Sequence, residues 1–126
     1  MKKIGNWWKY SGILLIVSGI VHTIVGLILA CDIYWEVLKL GFINVIEPDF
    51  VHARACAFWF LVCGIIIIIL GQTLHYYIRQ TNQKPPLLLG YWMLTLSVFG
   101  CLAMPASGFW LFVPQSLIII FTKGER

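Results

Sequence analysis

Residues 11–31 read SGILLIVSGIVHTIVGLILAC and contain no charged side chain. A helix of about 20 apolar residues, at 1.5 Å per residue, is long enough to cross roughly 30 Å of hydrocarbon. The stretch ends at Asp32, and the charged residues that follow rule out its continuation. Residues 11–31 are therefore predicted to form a transmembrane helix.

Three further apolar segments follow, at residues 52–74, 87–104 and 108–122. The second span belongs to a longer predicted helix over residues 50–79, and residues 32–50 carry too many charges to span. They are expected to form an outer loop. The two later connections are short, which favours antiparallel neighbours. The sequence predicts a single all-α domain over 1–126, a four-transmembrane-helix bundle of up-down-up-down topology.

The composition favours the same class. Hydrophobic residues make up 60% of the chain and charged residues 11%, against about 45–50% and 25% in soluble domains. The net charge of +4 comes from basic residues that flank apolar runs instead of forming a stripe. A soluble enzyme and a nucleic-acid-binding protein are both poor fits, so the bilayer is the expected partner.

The basic residues predict the orientation through the positive-inside rule. Two of them, Lys39 and Arg54, fall on the face opposite the N-terminus, together with most of the acids. We therefore expect both termini in the cytoplasm and a multi-pass location in the cell membrane, the bacterial inner membrane. Aromatic residues such as Trp7 and Trp8 are expected at the inner interface. The basic residues predicted inside are Lys2, Lys3, Lys9, Arg79, Lys84, Lys123 and Arg126.

Cysteine and histidine spacing gives little sign of a metal site. The four cysteines form no CxxC pair, and the three histidines are predicted at three different depths. No metal site is expected. The sequence leaves any cofactor unknown, because HExxH, Walker, GxSxG and dinucleotide motifs are missing. The cysteines are expected to pack as small apolar residues, and a disulfide between Cys56 and Cys101 stays an open alternative.

One polar or amphipathic residue per helix falls at a similar predicted depth. His22 lies nine residues from Cys31, roughly 13 Å along a helix. Trp59, Ser97 and Gln115 each lie about eight residues from the outer ends of their helices, roughly 12 Å. Arg54, nearer the surface, is expected to reach the headgroups, to pair with an acid such as Glu36, or to hold an anionic ligand.

His22 is the leading candidate site residue, since an ionisable group in a span is costly unless it has a partner or a function. It shares a face with Gly19 and Gly26, so it should point into the bundle. Gln115 should also turn inward, because an unpaired amide costs roughly 2–7 kcal/mol in hydrocarbon. We expect His22 and Gln115 to line one cavity in the outer half, next to a helix kink at Pro114. A purely structural role, in which a neutral His22 bonds to Ser97, Gln115 or a carbonyl, is the alternative.

Three short motifs resemble an uncharacterised family of small bacterial four-span membrane proteins, known as a domain of unknown function. The resemblance covers nearly the whole chain and implies the four-span topology without an activity, substrate or cofactor. The motifs are Ser18-Gly19-Ile20-Val21-His22 with Gly26, Phe58-Trp59-Phe60 with Gly64 and Gly71, and Pro105-Ala106-Ser107-Gly108-Phe109-Trp110.

Three functional classes fit these features. The first is a protein that binds a lipid or small apolar molecule in an outer-half pocket lined by His22, Gln115, Ser97, Trp59 and Arg54. The second is an intramembrane enzyme that uses His22 as acid or base on a lipid-like substrate. The third is a small transporter or channel, which would require a homo-oligomer because four helices enclose little space.

Overall fold

The computed structural model describes residues 5–45 and 52–122, and the regular secondary structure in these ranges is entirely helical, without strands. The all-α class is confirmed for this part of the chain. The described residues form five α-helices, and short 3-10 turns precede the first and the last of them. The α-helices are α1 (Ser11–Leu29), α2 (Cys31–Lys39), α3 (His52–Thr81), α4 (Leu87–Ala103) and α5 (Phe112–Phe121), and the 3-10 turns are Trp7–Tyr10 and Gly108–Leu111. Predicted features at residues 1–4, 46–51 and 123–126, including the terminal lysines, lie outside the described residues.

Helices α1 and α3 form an antiparallel pair whose close approach depends on glycine. A β-carbon added at Gly12 would lie 2.4 Å from the backbone nitrogen of His75, and one at Gly71 would lie 2.6 Å from that of Ile16. Only glycine lets two backbones come this close, which is a common basis of helix association in membranes. The two contacts also fix the register of the pair.

The segment predicted as an outer loop, residues 32–50, contains a helix in its first part, because α2 occupies Cys31–Lys39. Ala30 interrupts the helix between α1 and α2, with φ −114° and ψ 23°. The Tyr34 hydroxyl donates to the Ala57 carbonyl of α3 over 2.7 Å. The charges of this segment therefore did not prevent a helix. They lie on a short amphipathic helix that packs on the first turns of α3.

Helices α4 and α5 form the second antiparallel pair, in which Gly90 meets Ile119 and Gly100 meets the Phe109 ring. The Ser107 hydroxyl accepts a hydrogen bond from the Phe109 N–H over 3.5 Å, and so caps the start of the 3-10 turn. In place of the kink expected at Pro114, the structure has a change from a 3-10 turn to an α-helix just before this residue. The chain runs as a 3-10 turn up to Leu111, and Pro114 is the third residue of α5, where a missing N–H costs little.

The two pairs meet at the end of the bundle that contains the α3–α4 connection, which we call the Lys84 end; the opposite end is the Ala30 end. A cluster of buried apolar side chains joins them there, and its members are Trp8, Leu15, Leu74, Ile78, Met93 and Ile119. Trp8 was predicted at the membrane interface but is only 1% exposed. Its neighbour Trp7 takes the exposed position instead, because the 3-10 turn rotates Trp8 inward.

Lys84 closes the Lys84 end. Its ammonium donates to the carbonyls of Ile120 and Thr122, at the C-terminus of α5. A cation at a helix C-terminus meets both the unpaired carbonyls and the negative end of the helix dipole. Burial lowers the pKa of Lys84 from its ordinary value.

In the part of the chain that the structure describes, two segments are long and apolar enough to cross a membrane, Trp7–Leu29 and His52–Thr81, each with a mean hydropathy of 2.5 in its most apolar window. The helical segments Leu87–Ala103 and Gly108–Phe121 are also apolar but shorter. Large apolar side chains cover much of the outward surface, for example Ile66, Ile69, Phe99 and Leu102.

Candidate functional site

A cavity of about 250 Å³ lies at the Ala30 end, between the last turn of α1, the first turns of α2 and the first turns of α3. Small side chains at the meeting point of the three helices leave this space. The lining residues are Gly26, Leu29, Ala30, Ile33, Tyr34, Ala53, Cys56, Ala57 and Phe60.

The lining is almost entirely apolar. Tyr34 contributes a hydroxyl, but its hydrogen is already donated to the Ala57 carbonyl, and burial raises the pKa of Tyr34. Cys56 contributes a free thiol, which is a weak donor and behaves as a small apolar group. No charged side chain is among the lining residues that the structure describes. The cavity therefore suits hydrocarbon better than any polar or charged ligand.

His22 lies directly behind one wall of this cavity. Its Nε2 is 3.1 Å from the Phe60 carbonyl oxygen. Its ring stacks on the Phe60 ring, with centroids 3.9 Å apart and planes 9° from parallel. Because Phe60 lines the cavity and His22 does not, His22 supports the wall instead of facing the space.

Gln115 and His22 were expected to be neighbours, and the structure gives each a different partner. The Gln115 side-chain nitrogen donates to the Ser18 hydroxyl over 2.6 Å. Ser18 lies one helical turn from His22, about 6 Å closer to the Lys84 end. The predicted polar layer is therefore staggered by one turn. Gln115 points inward, as predicted, and is only 6% exposed.

The structure does not bring Ser97 and Trp59, the other two residues of the predicted polar layer, to His22. Ser97 is fully buried, and its hydroxyl donates to the Leu94 carbonyl of its own helix over 2.9 Å. Trp59 is 62% exposed and packs edge-on against Phe58, with ring centroids 5.4 Å apart. Trp59 thus belongs to the outward surface of α3.

Arg54 pairs with Glu36, one of the alternatives that the sequence left open. Its Nη2 forms an ion pair with the Glu36 carboxylate, and its Nη1 donates to the Val45 carbonyl over 3.1 Å. Arg54 does not line the cavity. It fastens α2 and the segment that follows α2 to the start of α3, and so helps to keep α2 over the cavity.

Sequence reasoning missed Ser18, Tyr34 and Phe60. Ser18 shares a helix face with His22, four residues away, which was a usable signal. Tyr34 lay in a segment predicted as loop, so its contact with α3 could not be anticipated. The wall formed by Phe60 depends on the α1–α3 register, which the sequence does not specify.

The other candidates for chemistry were a disulfide and a metal site. All four cysteines are free thiols, so Cys56 and Cys101 are not joined. Within residues 5–45 and 52–122, no three side chains of the His, Cys, Asp and Glu types come together as a set of metal ligands.

Comparison with known proteins identifies a family. A family model described as a family of unknown function, DUF6463, matches residues 6–126. No curated protein and no solved structure matches the chain. The family match extends over nearly the whole sequence, so the chain belongs to this family, and the resemblance predicted from its motifs is confirmed at that level.

Proposed function

We propose that this DUF6463 member is a multi-pass protein of the cell membrane that binds a lipid or a small apolar molecule in the cavity at its Ala30 end. In this proposal α1, α3, α4 and the segment Gly108–Phe121 are four spans, both termini are cytoplasmic, and the cavity lies in the outer half of the bilayer. A bacterial inner membrane is the setting that the sequence suggests.

The four-span part of the proposal is supported by the apolar composition of four helical segments and by the large apolar side chains on their outward surface. Helix α4 has 17 residues, about 25 Å, and the last 3-10 turn with α5 adds up to about 23 Å. These are short for a bilayer of about 30 Å, but shorter spans are accommodated by local thinning of the bilayer and by snorkelling of flanking residues. The long α3 would tilt or project.

One observation carries the binding proposal: a 250 Å³ space in which the hydroxyl of Tyr34 already has its partner. An apolar chain entering this space leaves no polar group unpaired, whereas a polar ligand would lose its own hydrogen bonds without replacement. The occupant is therefore expected to insert hydrocarbon, with any polar group outside the cavity.

The two other functional classes have less support. Catalysis by His22 would have to use Nδ1, because Nε2 is held by the Phe60 carbonyl, and no second positioned acid or base lies beside it among the described contacts. A pore through the monomer would have to pass Leu15 and Ile119, which are fully buried between the two helix pairs.

Filling the cavity tests the proposal. Ala53 lines the cavity and is exposed, so Ala53→Leu adds bulk to the space without disturbing a packed core. Ala103→Leu, at the exposed end of α4, adds the same atoms elsewhere. Both variants and the wild type would be purified from native membranes, and bound molecules would be identified by native mass spectrometry.

We expect a lipid or apolar molecule to stay with the wild type and with Ala103→Leu, and to be depleted in Ala53→Leu. Equal retention by all three proteins would contradict binding in this cavity. A wild type that carries no such molecule would contradict the binding proposal as a whole.

A further inference from the structure

Gln115 and Ser18 form a buried polar contact between α5 and α1. Each residue is only 6% exposed, and the amide nitrogen of Gln115 donates to the Ser18 oxygen over 2.6 Å. The amide oxygen Oε1 is buried and has no hydrogen-bond partner among the described residues. Because the Ser18 oxygen accepts the bond, its own hydrogen stays available as a donor.

One hydrogen-bond donor and one acceptor stay unpaired in either orientation of the Gln115 amide. Turning the Gln115 amide by 180° would let Ser18 donate to the oxygen, and the amide nitrogen would then be unpaired. A buried polar atom without a partner costs about as much as a lost hydrogen bond, so such atoms are nearly always satisfied by a bound group. The pair thus offers one hydrogen-bond donor and one acceptor at the same point.

The surroundings of the pair decide from which side a group can arrive. One turn toward the Lys84 end, Leu15 and Ile119 are fully buried and close the interface between α1 and α5. Toward the Ala30 end, the same side of α1 continues through His22 and Val25, and Val25 is 42% exposed. The contact is therefore packed less tightly on that side than toward the Lys84 end.

We propose that Ser18 and Gln115 form a binding site for one hydroxyl group, reached from the Ala30 end. A hydroxyl both donates to the Gln115 oxygen and accepts from the Ser18 hydroxyl, so it satisfies both atoms. A charged group fits poorly because no counter-charge lies beside the pair among the described residues and because burial of an unpaired ion is far more costly than that of a neutral group. The hydroxyl belongs either to water or to a neutral lipid alcohol.

The site is separate from the apolar cavity. Neither Ser18 nor Gln115 is among the nine lining residues, and the stacked rings of His22 and Phe60 stand between the two places. An experiment that disproves hydrocarbon binding in the cavity would therefore leave the proposed hydroxyl site untouched. Disproof of the hydroxyl site would likewise leave the cavity proposal untouched.

Two measurements on the purified protein identify the source of the hydroxyl. Infrared spectroscopy detects an internal water by the shift of its O–H stretching band in ¹⁸O-labelled water. Mass spectrometry of an organic extract detects a lipid alcohol retained in a fixed ratio to protein. The variants are Gln115→Met, which keeps the side-chain length, and Ser18→Ala. The control is Ser116→Ala, because Ser116 is also fully buried but donates to the Val113 carbonyl of its own helix.

We expect the wild type and Ser116→Ala to show either the water band or the lipid alcohol, and Gln115→Met and Ser18→Ala to lose it. A wild type with neither signal would overturn the proposal, whatever the folding of the variants. A signal that persists in both Gln115→Met and Ser18→Ala would overturn it too, since the hydroxyl would then be bound elsewhere.

Discussion

At Gly12, one added methyl group would collide with the backbone of the neighbouring helix. The α3 backbone at His75 stands where a β-carbon would go, at 2.4 Å from the nitrogen and 2.6 Å from the α-carbon. A flexible side chain could turn away from such a contact, but a helix backbone has to shift as a whole. The space at Gly108 is the opposite case, because nothing lies within 4 Å of a β-carbon there.

Gly12→Ala is therefore expected to lower the free energy of unfolding by about 1–3 kcal/mol or more, because overpacking a tight core costs this much. Gly108→Ala, the matched control, should change it by less than about 0.5 kcal/mol. Thermal unfolding of both variants in detergent measures the difference. Equal melting temperatures for the two variants would show that α1 and α3 are not packed as closely as described.

His22 illustrates how far the sequence can reach at this scale. Its position on the glycine-bearing face predicted an inward-facing side chain, and the structure places it against α3. Its actual partner, the Phe60 carbonyl, could not be predicted. The pairing depends on which turn of α3 stands opposite, and a shift of one turn would have offered His22 a different carbonyl. Gln115 was likewise predicted to be buried, but its partner Ser18 followed only from the α1–α5 register.

Among the elements, α2 is the one that the sequence described least well. The sequence of α2 has four charged or polar side chains in nine residues, which argue against a transmembrane helix and left the local structure of the segment undecided. They are Asp32, Tyr34, Glu36 and Lys39. An amphipathic helix needs only one apolar face, and Val37 is buried on that face. The long apolar helices α1 and α3 were readable because their length and composition leave few alternatives.

The attachment of α2 to α3 rests on Arg54 more than on Glu36. The Glu36 side chain is 55% exposed and that of Arg54 is 17% exposed, and an ion pair this close to solvent contributes about 0–1 kcal/mol. Arg54 also donates to the Val45 carbonyl and packs its aliphatic part.

Glu36→Gln should therefore change the free energy of unfolding by no more than about 1 kcal/mol, and Arg54→Ala should have a larger effect. Hydrogen exchange of the α2 amides is the direct measurement, with faster exchange expected in Arg54→Ala than in Glu36→Gln. The opposite order would mean that Glu36 has a further partner and that the ion pair is not the minor part of the attachment.

At the scale of the whole molecule, two antiparallel helix pairs share one apolar cluster at the Lys84 end and one polar contact, Ser18 with Gln115. Closer to the Ala30 end, the space between α1, α2 and α3 forms the proposed ligand cavity. The all-helical class followed from uncharged apolar segments such as residues 11–31, which have the length and composition of a transmembrane helix. The cavity did not, since it arises where the break at Ala30 lets α2 turn onto α3.

The central claim is that the chain crosses the membrane four times with the Ala30 end outside. Single cysteines at positions 44, 82 and 106, introduced as Asn44→Cys, Asn82→Cys and Ala106→Cys into a variant without the four native cysteines, test it directly. All three positions are exposed in the structure. Intact cells would be treated with a membrane-impermeant maleimide. The account predicts labelling at 44 and 106, and labelling at 82 only after the membrane is permeabilised. Labelling at 82 in intact cells, or protection at 44 or 106, would contradict it.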